Sequence, residues 1–328
     1  MPESVPLRAG PFDLYAMFDQ SGSMTETVEG GSTRWSVTVS AFKAFVADPG
    51  IAGLSVGLQF FGLPLPSCSG TCQQDSDCGP CGPCLEVGGF GFCGGVADSC
   101  VAADYAVPEV EIGPVADVAA TIDESFVTHQ PGPGTPTSAA LQGAIDHASA
   151  WAVAHPTERV SVLLVTDGDP GECDLSIENI AAIAAEGVGR SPSIRTFVVG
   201  IGSSLVSLNA IAAGGGTGTA TIVDTTTPVP EQLRRAFAAV PESGSCTFDL
   251  PSDATLPGAA PGTSSLVAEA PGTTQTVPLV ADDDACGESE GWFVETRDGV
   301  ARARLCPTSC LAYATLANPT LTYARTCP

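Results

Sequence analysis

Basic side chains are scarce in this chain of 328 residues, which has 12 lysines and arginines against 37 aspartates and glutamates. Its formal net charge is -25, and Lys43 is its only lysine. Because so acidic a surface repels phosphate backbones, nucleic acid is excluded as a partner. A Walker-type phosphate loop is excluded as well, because Lys43 lies on a predicted helix and not in a glycine-rich loop.

Histidine and long apolar runs are also scarce. The histidines are His129, His147 and His155, and their spacing matches neither a catalytic triad nor a zinc site. A cation held by hydroxyls and carboxylates could activate water, but no other pattern supplies a general base or a substrate pocket. No apolar run is long enough to span a membrane. The sequence therefore predicts a protein that is not an enzyme and has no membrane span.

Cysteine, by contrast, is abundant. The chain contains 13 cysteines, most of them in loop sequence rich in glycine, proline and threonine. This usage predicts disulfides formed in an oxidising compartment. Residues 1–6 have neither the basic start nor the apolar segment of a signal peptide. We expect an extracellular or bacterial cell-surface protein whose signal sequence is absent from this chain; the alternative is a cytosolic protein whose cysteines bind metal.

Residues 64–103 form a cysteine-rich insertion, which has too much glycine and proline to bury a core of its own. Its seven cysteines are Cys68, Cys72, Cys78, Cys81, Cys84, Cys93 and Cys100. The spacing of Cys78, Cys81 and Cys84 suits an iron–sulfur or zinc site, but no fourth cysteine follows at a ferredoxin spacing and no histidine is near. The preferred interpretation is a knot of three disulfides from Cys68 to Cys93, with Cys100 paired elsewhere.

An oxygen-rich turn follows a short apolar stretch near the N-terminus. Residues 14–18 predict a buried strand that ends at Asp19, and Ser21 and Ser23 follow across a turn that Gly22 permits. One carboxylate and two hydroxyls at alternate positions are hard oxygen donors of the kind that Mg²⁺ binds. Alone, this pattern also fits a loop in which Asp and Ser cap a helix.

Two further stretches place similar donors next to predicted strands and helices. Thr135 lies in a stiff loop, residues 131–137, which leads into a predicted helix at 138–151. Asp167 follows residues 160–165, an apolar strand of the kind that is buried on both faces of a parallel sheet. Because ligands of open α/β sheets bind at the carboxyl ends of strands, we expect Asp19, Thr135 and Asp167 to meet there.

Together these stretches resemble the metal-ion-dependent adhesion site of von Willebrand factor type A domains. The residues that carry the resemblance are Asp19, Ser21, Ser23, Thr135 within Gly-Thr-Pro-Thr and Asp167 within Val-Thr-Asp-Gly. It covers residues 10–242 apart from the insertion, and it implies a Rossmann-like α/β fold with a doubly wound, mostly parallel sheet flanked by helices. It also implies that Ser21, Ser23 and often Thr135 bind Mg²⁺ directly, and that Asp19 and Asp167 bind it directly or through water.

The resemblance implies an extracellular or cell-surface protein that functions in adhesion or ligand binding. The open coordination position of the cation would bind an Asp or Glu carboxylate of a protein partner. Hydroxyl and carboxylate ligands accept Mg²⁺, Mn²⁺ or Ca²⁺, so the ion is left open. Three alternatives remain: a structural module in which the cation only holds loops together, a metal-dependent hydrolase, and an intracellular partner of an ATPase motor.

The composition changes at Cys246, and residues 246–328 predict a small β-rich module stapled by disulfides. Its cysteines are Cys246, Cys286, Cys306, Cys310 and Cys327. The predicted domains are therefore residues 1–245, with the insertion at 64–103, and residues 246–328. Because the cysteine count is odd, at least one thiol is free or bridges to another chain. We expect Cys173 to pair with Cys100 or with a cysteine of the C-terminal module.

Hydrophobic periodicity predicts the remaining elements. Helices are expected at 34–46, 115–127, 176–186 and 228–240, and strands at 54–61, 105–112 and 193–202. The glycine-rich segment 212–218 precedes a strand and does not open a helix, so it predicts a turn and not a dinucleotide loop. Asp169, Glu172 and Asp174, in the loop after Asp167, predict a solvated turn; the alternative is that they tune the metal site.

Overall fold

The computed structural model describes residues 3–9, 12–48, 51, 53–64, 71–79, 84–93, 98–132, 134–155, 158–244, 246–250, 264–270, 272–282, 284–286, 290–297, 300–314 and 320–325. The strands are β1 (Glu3–Pro6), β2 (Arg8–Ala9), β3 (Phe12–Asp19), β4 (Leu54–Phe61), β5 (Thr71–Cys72), β6 (Cys84–Val87), β7 (Phe90–Cys93), β8 (Val110–Pro114), β9 (Val160–Thr166), β10 (Arg195–Ile201), β11 (Thr221–Val223), β12 (Thr247–Asp249), β13 (Ser264–Ala270), β14 (Thr273–Pro278), β15 (Trp292–Arg297), β16 (Val300–Leu305) and β17 (Thr320–Arg325). The α-helices are α1 (Arg34–Val46), α2 (Ala102–Tyr105), α3 (Val115–Thr128), α4 (Thr137–Ala154), α5 (Ile177–Gly189), α6 (Leu208–Gly214), α7 (Val229–Gly244) and α8 (Pro307–Ala314).

Six strands form the central sheet in the order β11-β10-β9-β3-β4-β8. Neighbouring strands run parallel, except that β8 pairs antiparallel with β4 at one edge. The middle strands β3 and β9 are buried along their whole length, as expected of apolar strands covered on both faces. The chain proceeds outward from β3 on one side and from β9 on the other, so a crevice opens at their carboxyl ends. The predicted fold class, a doubly wound and mostly parallel α/β sheet, is confirmed.

Helices cover both faces of this sheet. On one face, α1, α3 and α7 bring an aromatic cluster against the sheet, in which the ring of Phe18 contacts Trp35 and Phe42. On the other face, α4, α5 and α6 pack mainly aliphatic side chains against Tyr15 and Met17. Because side chains of a strand alternate between its faces, β3 contributes to both cores and is held from both sides.

Strands β5, β6 and β7 of the insertion form a small antiparallel sheet in the order β5-β7-β6. The disulfides Cys72–Cys84 and Cys78–Cys93 hold it together, so two bridges of the predicted knot are confirmed. The sulfur atoms of Cys72, Cys78 and Cys93 lie close together, but each belongs to a disulfide. The iron–sulfur or zinc alternative is therefore wrong for Cys78 and Cys84, while Cys68 and Cys81 lie outside the described residues.

A further disulfide, Cys100–Cys173, joins the end of the insertion to the loop after β9. It confirms that Cys100 pairs outside the knot, and it selects Cys100 over the C-terminal cysteines as the partner of Cys173. Cys173 also has a φ of 65°, the one positive value among the described residues other than glycine. The loop that follows Asp167 is therefore held covalently against the insertion.

The C-terminal residues build two four-stranded sheets, ordered β1-β17-β13-β14 and β15-β16-β12-β2. The disulfides Cys246–Cys310 and Cys286–Cys306 lie within or beside their shared core, and Cys327 lies outside the described residues. Strands β1 and β2 come from the start of the chain, so residues 3–9 pair with these sheets before the chain enters β3. The division of the chain at residues 245 and 246 stays a prediction.

Some elements differ from the sequence-based expectations. Tyr105, expected to begin an edge strand, ends the short helix α2, and the edge strand begins at Val110. The reason is that the buried Tyr105 ring packs beneath α4 and its hydroxyl donates to the carbonyl of Ser99 at 2.7 Å. Helix α6 occupies part of the segment expected to be a turn, and α8 was not expected. None of the described helices combines the length and the apolar character needed to cross a membrane.

Candidate metal centre

Asp19 is the last residue of β3, and its side chain is completely buried at the carboxyl edge of the sheet. Its Oδ1 accepts the backbone N–H of Ser21 at 2.7 Å. Its Oδ2 accepts the hydroxyl of Thr166, the last residue of β9, at 2.6 Å. Because β3 lies between β4 and β9, the backbone on both sides of Asp19 is fixed, and these two hydrogen bonds fix the carboxylate.

Ser21 and Ser23 lie at the start of a short 3₁₀ turn, Gly22–Thr25. Their hydroxyl oxygens are 2.9 Å apart, and the Ser23 hydroxyl donates to Oδ1 of Asp167 at 2.7 Å. Ser21 occupies the N-cap position of this turn, but its side chain makes no capping hydrogen bond. The alternative role of a helix cap is therefore wrong for Ser21, whose hydroxyl meets that of Ser23 instead.

Four of the five predicted ligands thus form one cluster: Asp19, Ser21, Ser23 and Asp167. Thr135 is 9% exposed, and its carbonyl accepts the backbone N–H of Gly171, in the loop that follows Asp167, at 3.0 Å. A β-carbon on Gly171 would lie 3.5 Å from the Thr135 hydroxyl oxygen. The described contacts include no hydrogen bond between Thr135 and the other four predicted ligands. Thr135 is connected to them through the loop that follows Asp167 and contains Gly171.

The two acidic residues of the cluster carry a strong electrostatic penalty. Burial, followed by the negative charge of Asp167, raises the pKa of Asp19 to about 7, against hydrogen bonds from Thr166 and Ser21. Burial also raises the pKa of Asp167, although hydrogen bonds from Ser23 and Arg34 oppose the shift. Buried carboxylates this close favour a cation between them. Carboxylate and hydroxyl oxygens without nitrogen or sulfur donors fit a hard divalent ion such as Mg²⁺.

Arg34 is a member of this site that the sequence analysis missed. Its Nη1 donates to Oδ2 of Asp167 at 2.9 Å, and its Nη2 lies 2.7 Å from the Glu26 carboxylate. Arg34 is the first residue of α1, directly after the capping residue Thr33. A basic residue in the first turn of a helix opposes the helix dipole. That unfavourable placement is the sequence signal that could have indicated a nearby acidic partner.

The acidic loop after Asp167 is tied to its surroundings. Asp169 accepts a hydrogen bond from the N-cap serine of α6, and Glu172 accepts the backbone N–H of Asp98. Asp174 accepts the side-chain amide of Asn179 near the start of α5. The expectation of a merely solvated turn is therefore incomplete, and in the described contacts these three carboxylates bind neighbouring loops and not the five predicted ligands.

Solved structures that align with this chain include two pilus proteins and a manganese-loaded protein. The pilus adhesin SpaC from Lactobacillus rhamnosus GG aligns over 98% of this chain at 12% identity and a TM-score of 0.47, and this chain spans 40% of that protein. The manganese-loaded TRAP protein of Plasmodium vivax aligns over 89% of this chain and 85% of its own, at 15% identity and a TM-score of 0.38. The adhesive tip pilin GBS104 of Group B Streptococcus agalactiae aligns over 98% of this chain and 81% of its own, at 9% identity and a TM-score of 0.44. No family model and no curated protein matches the chain. All three TM-scores are below 0.5, so the fold class rests on the sheet order and not on these alignments.

Proposed function

We propose that this protein is an extracellular or cell-surface adhesion protein with a divalent cation site formed by Asp19, Ser21, Ser23, Thr135 and Asp167. The ion is Mg²⁺, with Mn²⁺ or Ca²⁺ as alternatives. When bound, such an ion keeps a coordination position open for a carboxylate of a protein partner. The observation that carries the proposal is the buried pair Asp19 and Asp167, with two serine hydroxyls beside it at the carboxyl edge of the sheet.

The surrounding residues hold the cluster ready for a ligand. Thr166 and the Ser21 backbone orient the Asp19 carboxylate, and Arg34 orients that of Asp167. Since these side chains are already fixed, little rotational freedom is lost when a ligand binds. Ser23 is only partly buried, so the cluster is accessible to a partner from its side.

The environments of the histidines support a function without catalysis. The His129 ring stacks on Phe60, and the His155 ring stacks on Trp151. His147 pairs with the Glu111 carboxylate at 2.9 Å. In the described contacts each histidine packs against or pairs with a residue outside the acidic cluster, and none of the three contacts the cluster itself, as a general base for it would.

The cation site is tested by the Asp19→Asn variant, which keeps the side-chain shape and removes its charge. In isothermal titration calorimetry, the chelator-treated parent should bind Mg²⁺ saturably, and the variant should bind it at least about tenfold more weakly. Asp123→Asn is the matched control, because Asp123 is an exposed carboxylate paired with Lys43. Equal Mg²⁺ affinity of parent and Asp19→Asn would contradict the proposal.

The open coordination position is tested separately with Mn²⁺, whose bound water accelerates the relaxation of solvent protons. We expect the Mn²⁺-loaded protein to enhance water relaxation and glutarate to reduce that enhancement as its carboxylate replaces the water. The uncharged diamide of glutaric acid should have no effect. The structural-module alternative predicts instead that Mg²⁺ raises the melting temperature while glutarate leaves the relaxation unchanged.

A further inference from the structure

Asp98 is a buried carboxylate that the proposed site does not use. It is the first described residue after β7, where it forms an isolated antiparallel bridge with Pro64. Its side chain is 0% exposed, and within the described part of the chain neither carboxylate oxygen accepts a hydrogen bond of standard geometry. The backbone N–H of Gly134 is near enough to lower the pKa of Asp98 but does not meet that geometry. Leaving a buried carboxylate without a hydrogen bond is costly, so Asp98 requires a physical explanation.

A second carboxylate, that of Glu172, lies against Asp98. The backbone N–H of Asp98 donates to Oε2 of Glu172 at 3.1 Å. The disulfide Cys100–Cys173 joins the same two segments, directly after Glu172 and two residues after Asp98. Burial, followed by the negative charge of Glu172, raises the pKa of Asp98 to about 6, against the nearby backbone N–H of Gly134. A covalent bond therefore holds together two acidic segments whose side chains repel each other.

Both carboxylates face the α-carbon of Gly134. A β-carbon on Gly134 would lie 2.2 Å from Oδ2 of Asp98 and 2.7 Å from Oε1 of Glu172. A larger residue at this position would require one or both carboxylates to move. The carbonyl oxygen of Gly134 and Oδ2 of Asp98 both border Gly62, because a β-carbon on Gly62 would lie 3.2 Å from the first and 3.8 Å from the second.

We propose that Asp98 and Glu172, with the carbonyl oxygen of Gly134, form a second divalent cation site that is distinct from the five predicted ligands. Two carboxylates and a backbone carbonyl are the oxygen set that Ca²⁺ binds, with water completing its shell. A doubly charged ion balances the two carboxylates and supplies the partner that Asp98 lacks. Gly134 immediately precedes Thr135, so the two cation sites meet in one loop.

Isothermal titration calorimetry with Ca²⁺ on the chelator-treated full chain tests this site. The variants are Asp98→Asn and Glu172→Gln, with Asp123→Asn as the control for loss of one acidic charge. We expect Asp98→Asn and Glu172→Gln each to lose a Ca²⁺-binding event that the parent and the control retain. Asp19→Asn should retain the same Ca²⁺-binding event, which separates this site from the proposed adhesion site. Loss of Mg²⁺ binding in Asp19→Asn tests the adhesion site alone.

Thermal unfolding gives a second readout that does not depend on the heat of Ca²⁺ binding. In chelator, Asp98→Asn should melt at the parent temperature or above it, because the substitution removes a buried charge. Ca²⁺ should raise the melting temperature of the parent by about 2–4 °C more than that of Asp98→Asn. Ca²⁺ binding and melting shifts that are the same in parent and Asp98→Asn would overturn the proposal. Complete loss of Ca²⁺ binding in Asp19→Asn would also overturn the proposal. Asp98 and Glu172 would then bind no Ca²⁺, and a proton would balance their charge instead.

Discussion

Arg34 places a fixed positive charge against the cluster that would hold the cation. It contacts the completely buried carboxylate of Asp167, and its own side chain is 18% exposed. Removing one partner of a buried ion pair leaves an uncompensated charge, which costs more than the pair itself contributes. In the absence of a divalent ion, Arg34 is therefore the internal cation that makes the burial of Asp167 tolerable. A bound divalent ion, as proposed above, would share the Asp167 carboxylate with the guanidinium.

This arrangement predicts that Arg34→Gln destabilises the protein strongly without metal and only weakly with it. In chelator, the variant should lose about 2–4 kcal/mol of unfolding free energy, because Asp167 stays buried without its charged partner. With saturating Mg²⁺, most of that loss should be recovered, and the Mg²⁺-induced rise in melting temperature should exceed that of the parent. Arg235→Gln, an exposed arginine on α7, is the control. Equal Mg²⁺-induced shifts in variant and parent would contradict the role of Arg34.

For individual residues, the sequence predicts contacts between side chains that are close together in the chain. Asp19, Ser21 and Ser23 lie within one turn, so their spacing alone places their oxygens together. The contacts of Arg34 with Asp167 and of Asp98 with Glu172 were not predicted, because Asp167 and Glu172 lie in a loop more distant in sequence. The nearest signal for Asp98 is that its segment and that of Glu172 each carry a cysteine close by.

Among the elements, β3 is anchored to α4 at the end opposite to the cation cluster. Asp13, 1% exposed near the start of β3, accepts the indole N–H of Trp151 at 2.7 Å. Burial is the largest cause that raises the pKa of Asp13 from 3.8 to about 6; Glu158 also raises it, and the hydrogen bond from Trp151 opposes the shift. The contact therefore fixes a helix against a central strand and makes that packing sensitive to pH.

The sign of the pH effect follows from the raised pKa. Between about pH 4 and pH 6 the folded state binds the Asp13 proton more tightly than the unfolded state does. The stability from this group is fully present below about pH 4 and is lost as the pH rises through about 6. Asp13→Asn should therefore be more stable than the parent at pH 7, by about 1–3 kcal/mol, and nearly equal to it at pH 4. Urea unfolding at both values checks this, and a difference that does not depend on pH would refute it.

Elements buried on one or two faces follow their sequence pattern closely. Helix α1 and strand β4 begin and end at the predicted residues, because apolar side chains line their covered faces. Helix α6 was missed because its 7 residues are too few for a clear periodic signal. Strands β1 and β2 were missed because their partners, β17 and β12, lie near the other end of the chain. Pairing over such a distance leaves no mark on local periodicity.

In the whole molecule, disulfides join segments that the central sheet does not. Cys100–Cys173 connects the insertion to the loop that follows Asp167. Cys246–Cys310 connects the segment after α7 to helix α8, and the strands β12 to β16 lie between its two cysteines. The first bridge fixes the loop after Asp167, whereas the second closes a loop of chain that contains most of the C-terminal strands.

That closed loop determines how the molecule would carry a mechanical load. Tension applied beyond Arg325 would peel β17 from β1 and β13 one pair at a time, because the load enters at the end of an antiparallel ladder. At Cys310 the load would pass through the sulfur bridge directly to Cys246. The residues between them, a sequence separation of 64, would carry no tension. In single-molecule pulling from the two ends of the chain, a reducing agent should therefore release about 220 Å of additional contour length from this loop. Cys246→Ser combined with Cys310→Ser should show that extension without reductant, and an identical extension of the oxidised parent would exclude this load path.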